Sequence, residues 1–250
     1  MKKILSKMRR AIQDYHMIEP GDKVAVGISG GKDSLLLFEA LWQYHSWGIV
    51  PFDLVPIHVN MGFKDTSADE MRALHEYFEQ KGLSLIEVPT QLAEILFDAR
   101  EGKDACSLCS KMRRGALCNR AHELGCNKVA LGHHADDVLE TLLLCAIYEG
   151  RLSTFAPISH LDRSDVWVIR PFIYLEEGDI RGACSRQNLP VVFNPCPNDK
   201  HTNRERMKTW IALVKKEIPF AKDNMLSAIT HPERNNLWKK PVQNQTFDEE

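Results

Sequence analysis

Nowhere in the 250-residue chain do apolar residues run on for the roughly eighteen positions that a membrane-spanning helix needs, so a membrane span is excluded. There is no excess of either charge. Lys and Arg number 32 against 34 Asp and Glu, a formal net of −2, so the chain as a whole is no general polyanion binder and any nucleic-acid contact must come from local patches. The basic start, Met1 to Arg10, has no apolar core behind it and is not a secretory signal; its charges would suit an organellar transit segment, but nothing else supports one. Repeats and low-complexity tracts are missing. An even, regularly spaced cysteine framework is also missing: seven cysteines at uneven intervals, in a chain long enough to bury a full core, point to a reducing compartment, the cytoplasm, and to metal or catalytic roles for some thiols.

What is present is an alternation. Residues 23–28 read as a short buried strand entering a glycine turn, and 35–47 carry apolar residues at helical spacing. The pattern recurs as strands at 52–59, 84–88, 128–131 and 166–169, and as helices at 67–80, 92–97, 108–124, 136–148 and 176–187. Strands alternating with helices predict an α/β fold, a parallel twisted sheet with helices on both faces. Composition divides the chain into a basic N-terminal helix (1–20), a main domain (21–193), and a cysteine loop with a C-terminal helical segment and polar tail (194–250). In such sheets ligands sit beyond the carboxyl ends of the strands, and two motifs follow strands directly.

The first is Ser29-Gly30-Gly31-Lys32-Asp33-Ser34. Glycines between strand and helix let backbone N–H groups close on a phosphate, the helix N-terminus adds its dipole, and Lys32 supplies a point charge. Asp33 stands where a Walker loop needs Ser or Thr to reach Mg²⁺. The hexamer instead resembles the SGGxDS signature of PP-loop ATP pyrophosphatases, which cleave ATP between the α and β phosphates. The second motif is Gly132-His133-His134-Ala135-Asp136-Asp137. Two histidines and two acids could hold a hydrolytic metal or simply cap a helix. Beside the first loop they fit a nucleotide better, with the acids taking Mg²⁺ or ribose and the histidines lying near the reacting phosphate.

Cys106-Ser107-Leu108-Cys109 opens a basic helix, and Cys196 sits in a proline-flanked loop that makes it the natural third thiol. Three local readings stand level: a [4Fe–4S] cluster with one open iron, a closed zinc site with His201 as fourth ligand, or a dithiol pair and plain buried thiols. Cys118, Cys126, Cys145 and Cys184 fall in or beside apolar segments and are expected in the core. Arg9, Arg10, Lys111, Arg113, Arg114, Arg204 and Arg206 belong to basic clusters that could contact RNA phosphates, against a reading as solvated helix faces.

Taken together the motifs resemble the tRNA 2-thiocytidine synthetase family of PP-loop enzymes. The resemblance runs from Arg9-Arg10 and Glu19-Pro20-Gly21-Asp22 through the cysteine helix, Tyr148-Glu149-Gly150-Arg151-Leu152 and Ile169-Arg170-Pro171 to Pro195-Cys196. It implies a PP-loop, Rossmann-like fold and an ATP-dependent transferase that adenylates the C2 oxygen of an anticodon-loop cytidine, position 32, and replaces it with sulfur. It implies ATP and Mg²⁺ held by residues 29–34, 132–134 and 136–137, with Lys32, Asp33, Asp137, Cys106 and Cys109 catalytic. A [4Fe–4S] cluster on Cys106, Cys109 and Cys196 is implied as the sulfur source. The partners expected are tRNA and a cysteine desulfurase or other sulfide donor, with a homodimer left open. Two departures stand out. Cys196-Pro197-Asn198-Asp199 lacks the family's frequent second C-x-x-C, and Asn60 stands where PP-loop relatives often place an acid. The competing readings are another PP-loop enzyme needing no thiol site, and a nucleotide-binding or sulfur-carrying protein without turnover.

Overall fold

The computed structural model describes residues 1–99, 105–198 and 202–238. Six strands form one sheet in the order β3-β2-β1-β4-β6-β5, with β1 at Lys23–Ile28, β2 at Asp53–Asn60, β3 at Ile86–Pro89, β4 at Lys128–Ala130, β5 at Ile158–Leu161 and β6 at Val166–Ile169. β1, β2, β3, β4 and β6 run parallel, as the alternation predicts. β5 is a strand the pattern does not reveal, and it pairs antiparallel with β6. The reason is the connection: four residues between the two strands are too few for a parallel crossover and enough for a hairpin, with Asp165 taking the left-handed backbone (φ +46).

Helices cover both faces. They are α1 (Lys2–Asp14), α2 (Lys32–Ser46), α3 (Ala68–Glu79), α4 (Ala105–Glu123), α5 (Ala135–Tyr148), α6 (Glu177–Cys184), α7 (Asn203–Glu217) and α8 (Ala221–Thr230), with a π-helical turn at Glu94–Ala99 before α4. The period of two in β1 sorts its side chains. Val24, Val26 and Ile28 join the core formed with α1, α2, α3 and α6, while Ala25 joins the smaller core under α4. Gly27 faces α4 too, and a Cβ there would come within 2.7 Å of Leu117, so the glycine sets how closely α4 can lie on the sheet. Leu35, Leu36, Leu37, Phe38 and Leu41 of α2 are all fully buried. Burial of each is worth about 1.5–3 kcal/mol, which anchors the helix whose first turn carries the phosphate loop.

The basic helix α1 is not an independent arm. Ile4, Leu5, Met8, Ala11 and Ile12 lie at helical spacing and enter the main core, leaving its charged face outward. Toward the other end, Met207 and Ile211 of α7 are buried, and α7 packs against α5. The four cysteines expected in the core, Cys118, Cys126, Cys145 and Cys184, are all buried. Among the described residues no helix is long and apolar enough to cross a membrane.

Candidate nucleotide and thiol site

β1 and β4 are neighbours in the sheet, and the strand order reverses between them, which opens a crevice at their carboxyl ends. Both glycine-containing motifs emerge there. After β1 the chain turns at Gly30, whose φ of +81 an L-residue rarely adopts. The loop is then tied by its own hydroxyls: Ser29 N donates to Ser34 Oγ (3.1 Å), Gly31 N to Ser29 Oγ (3.3 Å), and Ser34 Oγ to Gly31 O (3.0 Å). Gly132 brings the second loop against the first, since a Cβ there would stand 3.1 Å from the Asp33 carbonyl. A segment from the far end of the sequence closes the third side, with Val192 N donating to Gly30 O at 3.0 Å.

That packing yields a test. At Gly30 an alanine Cβ would lie 2.9 Å from Val192 Cβ, on a backbone that disfavours side chains. Gly30→Ala is expected to cost about 1–3 kcal/mol of stability and to weaken ATP binding, read by thermal melting and calorimetry. Wild-type melting with wild-type ATP affinity would show that the loop conformation is not locked.

Lys32 lies 3.0 Å from Asp33 Oδ2 and 3.3 Å from Glu177 Oε1 at the start of α6. Burial alone would lower the Lys32 ammonium, but Asp33 and Glu177 carry it above its ordinary value. Glu177 also accepts from Lys208 of α7 at 2.8 Å. Burial works to raise this carboxyl, yet Lys208 and Lys32 hold it down at about 2. Two ammonium groups therefore share one carboxylate at the mouth of the loop, an arrangement that suits a polyphosphate.

In the second loop, Asp137 Oδ2 accepts the His134 backbone N–H at 2.9 Å, a helix cap for α5. Asp137 Oδ1 accepts from Arg204 at 3.0 Å. Arg204, a candidate RNA contact, is half-buried and also meets Glu140 (3.2 Å) and Thr141 (3.3 Å). Asp136, expected at the nucleotide, is engaged within the protein: Oδ1 accepts from buried Lys222 at 2.5 Å and Oδ2 from the Glu177 backbone N–H at 2.8 Å. It ties the starts of α5, α6 and α8 together. His134 is buried, and burial pushes His133 down to about 4, against the pull of Asp137, so its ring is neutral at pH 7. His133 lies against Phe155, which also covers the guanidinium of Arg170. Buried Arg170 donates to Ala156 O at 2.6 Å and fixes the approach to β5.

The thiols of the C-x-x-C pair stand at the start of α4, Cys106 exposed and Cys109 half-buried, with Cys196 half-buried. Burial raises the Cys109 thiol; the nearby Cys196 and Cys106 add to the rise and Arg113 opposes it. Both other thiols are thus within electrostatic reach of Cys109. Asn198, two residues past Cys196, sits 3.9 Å from Cys106 Sγ. Among the described residues no three His, Cys, Asp or Glu side chains close on one point in the geometry of a single-ion site, and His201 lies outside the described residues. Arg9, Arg10, Lys111, Arg113, Arg114 and Arg206 are exposed, as a solvated face or an RNA-facing surface requires. Asn60 makes no acidic contribution; its side chain accepts from Gly62 N and shapes the turn after β2. Sequence reasoning missed Glu177, Lys222 and Glu140, and Glu177 has its signal in a pair of acids opening a helix just past Arg170-Pro171.

A glycine loop at a topological switch point, entered from β1 and closed by the first turn of α2, defines a PP-loop protein. A PP-loop domain profile matches residues 2–214. A tRNA-cytidine(32) 2-sulfurtransferase from Syntrophotalea carbinolica is 36% identical over 239 residues, covering 94% of this chain and 91% of that protein. One from Geobacter metallireducens is 35% identical over 245 residues, covering 97% and 94%. In fold, the chain is similar to the U34-tRNA thiolase NcsA from Methanococcus maripaludis, solved with its [4Fe-4S] cluster, at a TM-score of 0.71 and 22% identity over 96% of this chain and 81% of that one. The chain belongs to the tRNA-cytidine(32) 2-sulfurtransferase family of PP-loop proteins.

Proposed function

We propose that this protein is an ATP-dependent tRNA sulfurtransferase that converts the cytidine at position 32 to 2-thiocytidine. The observation that carries the reading is the path of residues 192–198, which hydrogen-bonds the phosphate loop at Gly30 and meets Cys106 through Asn198, so one short segment joins the two half-sites.

A carbonyl oxygen is a poor leaving group until it is adenylated. The C2 oxygen of the base attacks the α-phosphate of ATP, the bond from that phosphorus to the bridging oxygen breaks, and pyrophosphate departs with the electron pair. Residues 29–34 retain the pyrophosphate, with Lys32 neutralising charge as it develops on the phosphates. Asp33 and Asp137 are the acids assigned to Mg²⁺, Asp137 while held by the His134 N–H and Arg204, and Asp136 holds the second loop in place. Sulfur then adds at C2, and the carbon–oxygen bond breaks to release AMP. Three thiols are the donor set a [4Fe–4S] cluster takes, and Cys109 lies near enough to Cys106 and Cys196 to feel both. Held by Cys106, Cys109 and Cys196, a [4Fe–4S] cluster supplies the site from which sulfur is delivered.

The exposed basic residues of α1 and α4, with Arg206, face the tRNA. The sulfur comes from a cysteine desulfurase or another sulfide donor in the cytoplasm. The exposed apolar residues Trp210, Leu213 and Phe220 suit a homodimer contact. Residues 1–20, 21–193 and 194–250 then divide the work into RNA contact, nucleotide chemistry, and thiol closure.

The test is direct. Anaerobically loaded protein given ATP, Mg²⁺, sulfide and tRNA should release AMP and pyrophosphate and form 2-thiocytidine, while tRNA with uridine in place of cytidine 32 should yield no thiolated product. Turnover of ATP without any thiolated base would point to another PP-loop enzyme.

A further inference from the structure

We infer that Arg204 is a positioning residue for nucleotide binding and adenylation, holding the Asp137 carboxylate in place across the first turns of α5. The inference rests on the ATP-dependent reading above.

The helical register of α7 makes the placement. Thr202 caps the helix by accepting from Glu205 N at 3.3 Å, and Met207 and Ile211 seat it in the core. Arg204, Met207, Lys208 and Ile211 therefore share one face at i, i+3, i+4 and i+7, an apolar seat with two cations on its rim. Arg204 spans three side chains of α5 at the same helical spacing: Asp137 at 3.0 Å, Glu140 at 3.2 Å and Thr141 at 3.3 Å. Asp137 has its other oxygen on the His134 N–H, so its plane is fixed from two sides. Glu140 is 4% exposed, and burial with the neighbouring Asp137 charge pushes its carboxyl up to about 7, while Arg204 favours its charged form. Lys208, four residues on, meets Glu177, the carboxylate that also holds Lys32. One face of α7 thus meets Asp137 of the second glycine loop and, through Glu177 of α6, the Lys32 of the first. Arg204 keeps part of its side chain exposed, yet its guanidinium is committed to two carboxylates, which a residue serving only RNA contact has no need of.

The test uses the full-length, cluster-loaded protein and the variants Arg204→Ala, Arg204→Lys, Asp137→Asn and the Ala/Asn double. Arg204→Ala should weaken MgATP binding, measured by calorimetry without tRNA, about tenfold or more, the scale of a lost charged hydrogen bond. Arg204→Lys should lie between it and wild type, and added guanidinium should restore part of the loss in Arg204→Ala. In the Asp137→Asn background the Arg204→Ala effect should shrink to about twofold, because the two act as one unit. Iron content and melting temperature should stay at wild-type levels in Arg204→Lys. Additive losses in the double variant, or weakened tRNA binding with MgATP affinity unchanged, would overturn the inference. Equal melting and iron losses in the Ala and Lys variants, without guanidinium rescue, would also overturn it and leave a structural ion pair. If no thiolated base forms with the wild-type protein, the sulfur-transfer reading fails, while the MgATP measurements still decide the role of Arg204.

Discussion

Lys32→Ala abolishes tRNA-dependent ATP–pyrophosphate exchange, with an expected fall in rate of about 10²–10³-fold, while iron and sulfide content stay at the wild-type level. The size follows from the position. Lys32 opens α2, where backbone donors and the helix dipole already favour a phosphate, and its ammonium is the charge the loop itself adds. The lysine is held there by Asp33 and Glu177 rather than left to sample solvent. Glu177 keeps Lys208 as a partner in the variant, so a large loss of stability is not expected. Exchange by filter assay and iron by colorimetry check the two halves of the statement. A variant that loses iron along with exchange would mean that the phosphate loop and the thiols form a single unit.

The complementary expectation concerns the thiols. Cys196→Ala should empty the protein of cluster iron and reduce 2-thiocytidine to background, yet retain pyrophosphate release within about threefold of wild type. Two thiolates do not complete a cluster site that needs three. The substitution lies in the loop after residues 192–193, and the hydrogen bonds of Val192 to Gly30 and of Phe193 to Glu70 do not involve the thiol. The adenylating half therefore keeps its support. Cys109→Ala should behave alike, with an added packing loss because Cys109 borders the small core of Leu92, Leu96 and Ala105. Visible absorption of anaerobic protein and chromatography of digested tRNA give the two readings. About four irons remaining in Cys196→Ala would remove Cys196 from the ligand set.

Much of this was legible before any coordinates. The short apolar run in residues 23–28 and the helical spacing after Leu35 specify a buried strand, a turn and a buried helix, and glycine at 30 suits the turn because φ there is positive. Local rules suffice wherever the deciding contacts lie within a few residues. The same rules mark Asp136 and Asp137 alike, as acids in the first turn of α5. They do not give their partners: Asp136 takes Lys222 and the Glu177 backbone, and Asp137 takes Arg204 and the His134 backbone N–H. The partners of Arg204 are hidden from the sequence for a similar reason: a cation on a polar helix is usually solvated, and these carboxylates arrive only when α7 docks on α5. The strand β5 escaped because a four-residue strand with one half-buried face leaves little periodicity to find.

The sequence by itself determined the α/β alternation, the phosphate loop and the three candidate thiols, since each is encoded by residue type and spacing over a short span. Tertiary structure decided which partners Asp136, Asp137 and Arg204 take, and that the segment bearing Cys196 closes on Gly30. Those choices depend on charges and backbone donors that are distant along the chain and meet only because α6, α7 and α8 pack beside the switch point, where a buried carboxylate must find a cation or bear the cost of desolvation.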